Sequence, residues 1–257
     1  MKTNSIGFIG GGRITKIFLQ GFKNKWVSFE SIKIYEPNNK TVDKLAVAFP
    51  EIEKVTRIEE IGAQRLVIIA VHPQIVMEVL KKIKNTVSEK TVVISLAPKI
   101  TLEKMASVLP TKRLVRMIPN ATSFINEGFN PLTFHFEMDK KEKKQIKKLF
   151  KALGKTFETE EEKLESYAIV SAMLPTYFWF QWYEVERIAK ETGLTVEEAR
   201  KTVKSTLKKA VNLYYNSGLT PGEVMDLIPV KPIGIDETQI TDIYDTRLMG
   251  LWGKIKP

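Results

Sequence analysis

Apolar residues follow two rhythms along this chain. In the first half, short runs of strand length alternate with stretches whose apolar positions recur at helical spacing. Ile6 to Ile9 precedes Ile14, Ile17, Phe18 and Phe22, and Ser31 to Tyr35 precedes Val42, Leu45, Ala46 and Phe49. Leu66 to Val71, Val92 to Leu96 and Leu114 to Met117 read as further strands. The helices between them carry Ile75, Val76, Val79, Leu80 and Ile83, then Leu102, Met105, Val108 and Leu109. Alternation of this kind predicts a parallel sheet covered on both faces. From Glu160 onward the strand rhythm stops and long amphipathic stretches take over, which places a boundary near Phe157 and divides the chain into residues 1–158 and 159–257.

The second half carries clear helix punctuation. Thr195-Val196-Glu197-Glu198 is a capping box, and Asn216-Ser217-Gly218 ends the helix it opens. Thr220-Pro221-Gly222-Glu223 starts another, with proline at the first helical position. The stretch with Tyr177, Phe178, Trp179, Phe180, Trp182 and Tyr183 is apolar nearly all round, so its helix has to be covered on several sides. A partner subunit is the natural cover, with neighbouring helices of the same chain as the alternative.

Composition changes the picture in a few places. With 257 residues and 43% hydrophobic content, the chain can bury one large core or two smaller ones. Cysteine is absent, which excludes disulfides and thiolate chemistry, and two histidines leave little for a metal site, so no metal is expected. The most apolar stretch, Tyr167 to Tyr183, is interrupted by Pro175, Thr176 and Gln181 and is too short for a membrane span. No basic and apolar leader opens the sequence, so the expected location is the cytoplasm. The formal charge of +10 invites a nucleic-acid partner. Its densest run, Asp139 to Phe150, nevertheless has Ile146, Leu149 and Phe150 at helical spacing with the lysines outside, which reads as a solvated helix face. Neither nucleic acid nor membrane is expected as a partner.

The candidate chemistry lies where the first strand ends. Gly10-Gly11-Gly12-Arg13-Ile14-Thr15 supplies the first two glycines of the dinucleotide fingerprint, with Thr15 in place of the third. One glycine permits the tight turn, and the next lets backbone N–H groups approach a pyrophosphate at a helix N-terminus. Glu36 follows the second strand, about twenty residues beyond the motif, where an acidic side chain accepts hydrogen bonds from a ribose hydroxyl. Its charge favours NAD over NADP, whereas Asn38, Asn39 and Lys40 could receive a 2′-phosphate, so the choice between the two stays open here. These features predict a Rossmann domain, an α/β doubly wound parallel sheet, followed by an all-helical domain.

IGFIGGGRITKIFLQGF from Ile6 to Phe22, Ala70-Val71-His72-Pro73-Gln74, Val115 to Ala121 followed by Glu127-Gly128, and Gly193-Leu194-Thr195 with Glu197-Glu198-Ala199 are four segments that, in this order, resemble the pyrroline-5-carboxylate reductase family. The resemblance implies that a helical dimerisation domain interlocks two subunits into a homodimer, with NAD(P)H reducing a small cyclic imine or a related C=N or C=O compound. Gly10, Gly12, Arg13 and Ile14 would line the pyrophosphate, Ala70, His72 and Pro73 the nicotinamide ribose, and Asn120 the carboxamide. The family's SGSGPAY turn stands here as Ser171 to Tyr177 without its glycines, and its SPGGTT loop as Lys231 to Asp236 without its threonines. A substrate carboxylate would then face Asp236, with Lys231 as the neutralising charge, which argues against proline synthesis itself. Tyr177, Thr176, Lys231 and Asp236 are the candidate substrate contacts, Tyr177 as hydrogen-bond or proton donor. Against this stand a dinucleotide-binding sensor or accessory protein without turnover, and a nucleotide-binding methyltransferase, which the AVHPQ and IPNA segments disfavour. His135 in Thr133-Phe134-His135-Phe136 reads as a strand residue rather than a catalyst.

Overall fold

The computed structural model describes Lys2–Thr3 and residues 5–257. Its compact units are Met1–Ala172 with Trp252–Pro257, and Met173–Leu251.

The first unit is built on an eight-stranded sheet. In chain order its elements are β1 (Ile6–Ile9), α1 (Arg13–Asn24), β2 (Ile32–Tyr35), α2 (Asn39–Ala48), β3 (Ile52–Val55) and α3 (Glu59–Gly62). Then come β4 (Leu66–Ile69), α4 (Pro73–Ile83), β5 (Val92–Ser95), α5 (Leu102–Ala106), β6 (Leu114–Met117), β7 (Gly128–Phe134), α6 (Lys140–Phe150) and β8 (Gly154–Glu158). The strand order is β3-β2-β1-β4-β5-β6-β7-β8, the Rossmann order extended by two strands at one edge. β1 lies between β2 and β4, with Ile6 opposite both Ile32 and Leu66.

All pairings in this sheet are parallel except that of β6 with β7. The connection from Ile118 to Glu127 holds only a 3-10 turn at Ala121–Ile125 and no crossover helix, so the chain returns antiparallel. The expected strand at His135 ends one residue sooner, at Phe134.

Alternate strand residues feed two cores, as the two-residue period requires. Ile6, Phe8, Leu66, Ile68, Val92 and Ile94 pack on one face with Phe18, Phe22 and Phe150 of α1 and α6. Ile9, Val67, Ile69 and Val93 pack on the other with Val76, Leu80 and Ile83 of α4. Phe18 and Phe150 meet edge to face at 5.8 Å between ring centres. The lysine-rich segment forms α6, which buries Ile146 and Phe150 and keeps its lysines outward.

The boundary expected near Phe157 coincides with the end of β8, but the chain stays with the sheet unit as far as Ala172. In this stretch α7 (Leu164–Tyr167) and a π-helical turn at Ala168–Ala172 bury Leu164, Glu165, Ala168 and Ile169.

The second unit is all helix: α8 (Leu174–Glu191), α9 (Val196–Asn216), α10 (Pro221–Asp226) and α11 (Glu237–Tyr244), then a π-helical turn at Asp245–Met249. A last helix, α12 (Gly250–Ile255), follows, and from Trp252 onward it is grouped with the first unit. Both expected capping boxes form, at Thr195 with Glu198 and at Thr220 with Glu223. Ala199 is the one buried residue among α8 to α11. No helix among the described residues is long and apolar enough to cross a membrane.

Candidate functional site

The turn after β1 requires a glycine at its first position, Gly10. Gly10 has φ +102°, and a Cβ on it would stand 2.5 Å from the carbonyl oxygen of Ala70. Its own amide donates to the Tyr35 carbonyl at 2.9 Å. Thr15, at the third position of the fingerprint, is fully buried and donates its hydroxyl to the Gly10 carbonyl at 2.6 Å, fixing the start of α1 onto the turn. Gly12 caps α1 without a side-chain bond, and a Cβ there would meet nothing within 4 Å. The first N–H groups of α1 therefore open onto free space with no intrahelical acceptor.

In front of the turn lies a groove of about 750 Å³. Gly10, Gly12, Arg13, Ile14, Glu36, Ala70, His72 and Pro73, all expected from the sequence, line it together. They come from the carboxyl ends of β1, β2 and β4, where the strand order reverses and ligands of open α/β sheets bind. His72 is the N-cap of α4, with Pro73 in its first turn.

Glu36 is held rigidly. One carboxylate oxygen accepts from Gly11 N and the other from Asn38 N, both at 2.9 Å. Asn38 in turn caps α2 by accepting from Thr41 N at 3.2 Å. Asn38 is therefore a cap and a bond donor to Glu36, and it lies outside the groove lining.

Asn120 is also outside the lining. It is buried, its oxygen accepts from the amide and hydroxyl of Thr122, and its side-chain nitrogen donates to Ser171. These bonds commit it to capping the Ala121–Ile125 turn rather than to a ligand.

Several groove residues escaped the sequence reading. Leu96, Ala97 and Pro98, just after β5, line the groove, as do Glu78 and Lys82 on α4. Glu78 and Lys82 are paired at 2.7 Å, and the hydrogen bond between them holds the carboxyl below and the ammonium above its ordinary range. Their i, i+4 spacing opposite the buried Val76, Leu80 and Ile83 was a readable signal for an exposed pair, though not for a groove wall.

Lys99, the residue after Pro98, is tied to a buried ion cluster. Arg116 on β6 is 1% exposed and donates to Glu161 at 2.9 Å and to Glu165, itself 1% exposed. The same carboxylates accept from the amides of Leu102 at 2.8 Å and Lys99 at 2.9 Å. Lys99 takes a left-handed conformation at φ 73°, so these bonds hold a strained turn next to the groove wall.

Within the helical unit, Thr176 and Tyr177 line a separate cleft of about 460 Å³ with Phe180, Gln181, Tyr244 and Arg247. The rings of Tyr177 and Tyr244 meet edge-on at 6.0 Å. Burial pushes the Tyr177 hydroxyl above its ordinary pKa. Thr176 donates its hydroxyl to the Met173 carbonyl at 2.6 Å. Lys231 and Asp236 lie exposed on a turn closed by Gly234 N to Lys231 O and Asp236 N to Ile233 O, and neither lines this cleft. Tyr244 and Arg247, which do, were not foreseen. Among the described residues, no cluster of three or more His, Asp or Glu side chains is placed to hold a metal.

The comparisons with known proteins agree with this architecture. Residues 5–99 match the model of the NADP oxidoreductase, coenzyme F420-dependent family. The pyrroline-5-carboxylate reductase of Methanosarcina acetivorans is 25% identical over 98% of this chain and 92% of that protein. That of Pasteurella multocida is 25% identical over 83% of this chain and 79% of its own. Among solved structures, the Plasmodium falciparum pyrroline carboxylate reductase with NADP bound superposes with a TM-score of 0.73 at 20% identity, covering 99% of this chain and 95% of that one. The Streptococcus pyogenes 1-pyrroline-5-carboxylate reductase gives 0.74 at 18% identity, over 98% and 96%. Over nearly its whole length the chain is similar in sequence to pyrroline-5-carboxylate reductases, and it shares their fold.

Proposed function

We propose that this protein is an NAD(P)H-dependent reductase of a cyclic imine or a related C=N or C=O compound, the altered loop from Lys231 to Asp236 speaking against proline synthesis itself. The observation that carries the reading is the open face of Gly12 at the start of α1, in a groove of about 750 Å³ at the strand-order reversal. The side of the turn at Gly12 is open to a diphosphate, and because the amides of Gly10 and Gly11 are taken by Tyr35 and Glu36, the first amides of α1 are the ones that would bind it. Gly10, Gly12, Arg13 and Ile14 hold the diphosphate, Glu36 with its bond donor Asn38 the adenosine ribose, and Ala70, His72 and Pro73 the nicotinamide ribose. Asn120 acts through the turn that it caps. The reduced nicotinamide, when bound, supplies a hydride. The chain's task is to fix the ring in line with the acceptor and keep water away, for which the apolar Leu96–Pro98 wall is suited. Tyr177, Thr176, Lys231 and Asp236 are the proposed substrate contacts, with the Tyr177 hydroxyl as hydrogen-bond or proton donor to a substrate nitrogen.

The test is to mix the purified protein with NADH or NADPH and a panel of cyclic imines, with and without a carboxylate, while following loss of reduced-nicotinamide absorbance. Turnover of at least one imine is expected. Saturable coenzyme binding with no turnover would favour a second reading, a catalytically silent sensor or accessory protein. The exposed positions of Lys231 and Asp236 and the spent hydroxyl of Thr176 speak for that alternative.

The same proposal includes a homodimer in the cytoplasm. On α8, Trp179, Phe180, Tyr183, Val185 and Ile188 are 46–74% exposed. An apolar area of this kind needs a cover, and a second copy of α8 and α9 supplies one. Light scattering is expected to give twice the 29.3 kDa chain mass, and a monomer at micromolar concentration would refute it.

A further inference from the structure

Whichever substrate is reduced, the groove itself bears on which coenzyme it takes. We infer that Glu36 makes it selective for the coenzyme without a 2′-phosphate, NADH, although the Plasmodium relative carries NADP. The inference rests on the reading of the groove as a dinucleotide site.

A carboxylate at the end of the second strand discriminates only if it cannot turn away. Most surface glutamates can, because their side chains have several low-energy rotamers. Glu36 is different: its two oxygens are tied to two separate backbone amides, Gly11 N and Asn38 N, each at 2.9 Å. Gly11 belongs to the diphosphate turn and Asn38 to the start of α2, so rotating the side chain away would strip acceptors from both. A Cβ on Gly11 would come within 3.0 Å of the Glu36 Cβ, so the two residues are in close contact. The carboxylate therefore stays in the groove lining, where it can accept from a ribose hydroxyl and repels a phosphate ester in that place.

Nearby cations do not offset it. Lys82, which lines the groove, is bound to Glu78 at 2.7 Å. Lys40 is exposed on the first turn of α2 and is not part of the lining. Arg13 does line the groove, as the first residue of α1 beside Gly12, and the proposed reading assigns it to the diphosphate. Asn39 is exposed and outside the lining, and the amide of Asn38 donates to Glu36 itself.

The experiment is a fluorescence titration of the wild-type protein with NADH and with NADPH, needing no substrate. NADPH is expected to bind roughly 100-fold more weakly, the scale of a like-charge clash in a partly desolvated site. The difference is expected to narrow as salt is raised, since screening weakens repulsion. Glu36→Gln, which removes the charge but retains one acceptor, is expected to cut the discrimination below about tenfold. Equal or tighter binding of NADPH would overturn the inference and leave the reductase reading standing. Binding of neither coenzyme would overturn both. A folded Glu36→Gln protein with unchanged discrimination would refute the role of Glu36. If that variant does not fold, a wild-type ratio insensitive to salt does the same.

Discussion

Replacing Glu165 by alanine leaves the Arg116 guanidinium, 1% exposed, with Glu161 as its remaining anionic partner among the described residues. Glu161 is closer to solvent, its side chain 24% exposed, and already shared with the amide of Leu102. The amide of Lys99 also loses its acceptor, and with it the bond that holds a left-handed lysine in place. Removing one partner of a buried pair costs about 3–5 kcal/mol, mostly because the other charge is stranded. For a unit of this size, that corresponds to a melting temperature lower by roughly 10 °C, read by calorimetry or circular dichroism. The reasoning makes a second demand. The double variant Arg116→Met with Glu165→Leu removes both charges together and should recover most of the loss, because the cost lies in the unpaired charge rather than in the missing bond. A single variant within about 1 kcal/mol of wild type would refute the account, as would a double variant no more stable than the single one.

Other outcomes follow from the same structure. Gly10→Ala meets the Ala70 carbonyl at 2.5 Å and a φ of +102°, so it should lose at least about 1–3 kcal/mol of stability and weaken coenzyme binding in titration. Phe150→Ala removes a fully buried ring stacked edge-on with Phe18 and should cost about 3–5 kcal/mol in denaturant unfolding, with coenzyme affinity little changed. His135 is buried, and desolvation holds its pKa below the ordinary 6.5. The unfolded chain thus binds a proton that the folded one refuses: stability is intact above 6.5 and falls as pH drops toward the lowered value. His135→Gln should flatten that part of the melting-temperature profile between about pH 5 and 7, and an unchanged slope would exclude this histidine as its source.

The parts of the fold that were legible in the sequence are those set by local pattern. β1, the glycine turn and α1 adjoin one another, so one stretch of residues encodes the strand, the turn and the amides that face the groove. The strands of strong apolar character, β2, β4, β5 and β6, were visible for the same reason. β3 was not, since Ile52-Glu53-Lys54-Val55 is apolar only at its ends. β7 hides behind Pro131 and a buried Asn130, whose oxygen is taken by Asn120 N and Ser123 Oγ. That bonding is tertiary and leaves no periodicity to read. The groove's far wall escaped for a similar reason: Leu96–Pro98 and the pair Glu78–Lys82 join Gly12 only when β1, β4 and β5 align. Arg116 stood inside a recognisable motif, yet nothing in its neighbourhood announced two carboxylates from the segment after β8. For Asn120 the motif resemblance suggested a ligand contact where the structure shows a cap.

The two-sided burial of the sheet raises a question of register. In β1 every residue is apolar or glycine and every residue is buried, so polarity offers no reason to prefer one alignment over its neighbour. Size supplies the reason instead. A Cβ on Gly7 would stand 2.7 Å from Ile61 Cγ2 and 2.9 Å from Gln64 Cγ, so α3 presses against the strand at the one place without a side chain. Sliding β1 by a single step would drive Ile6 or Phe8 into that gap. The missing methyl of Gly7 therefore acts as a notch that locks the central strand, and with it the glycine turn at its end, at a fixed height in the sheet.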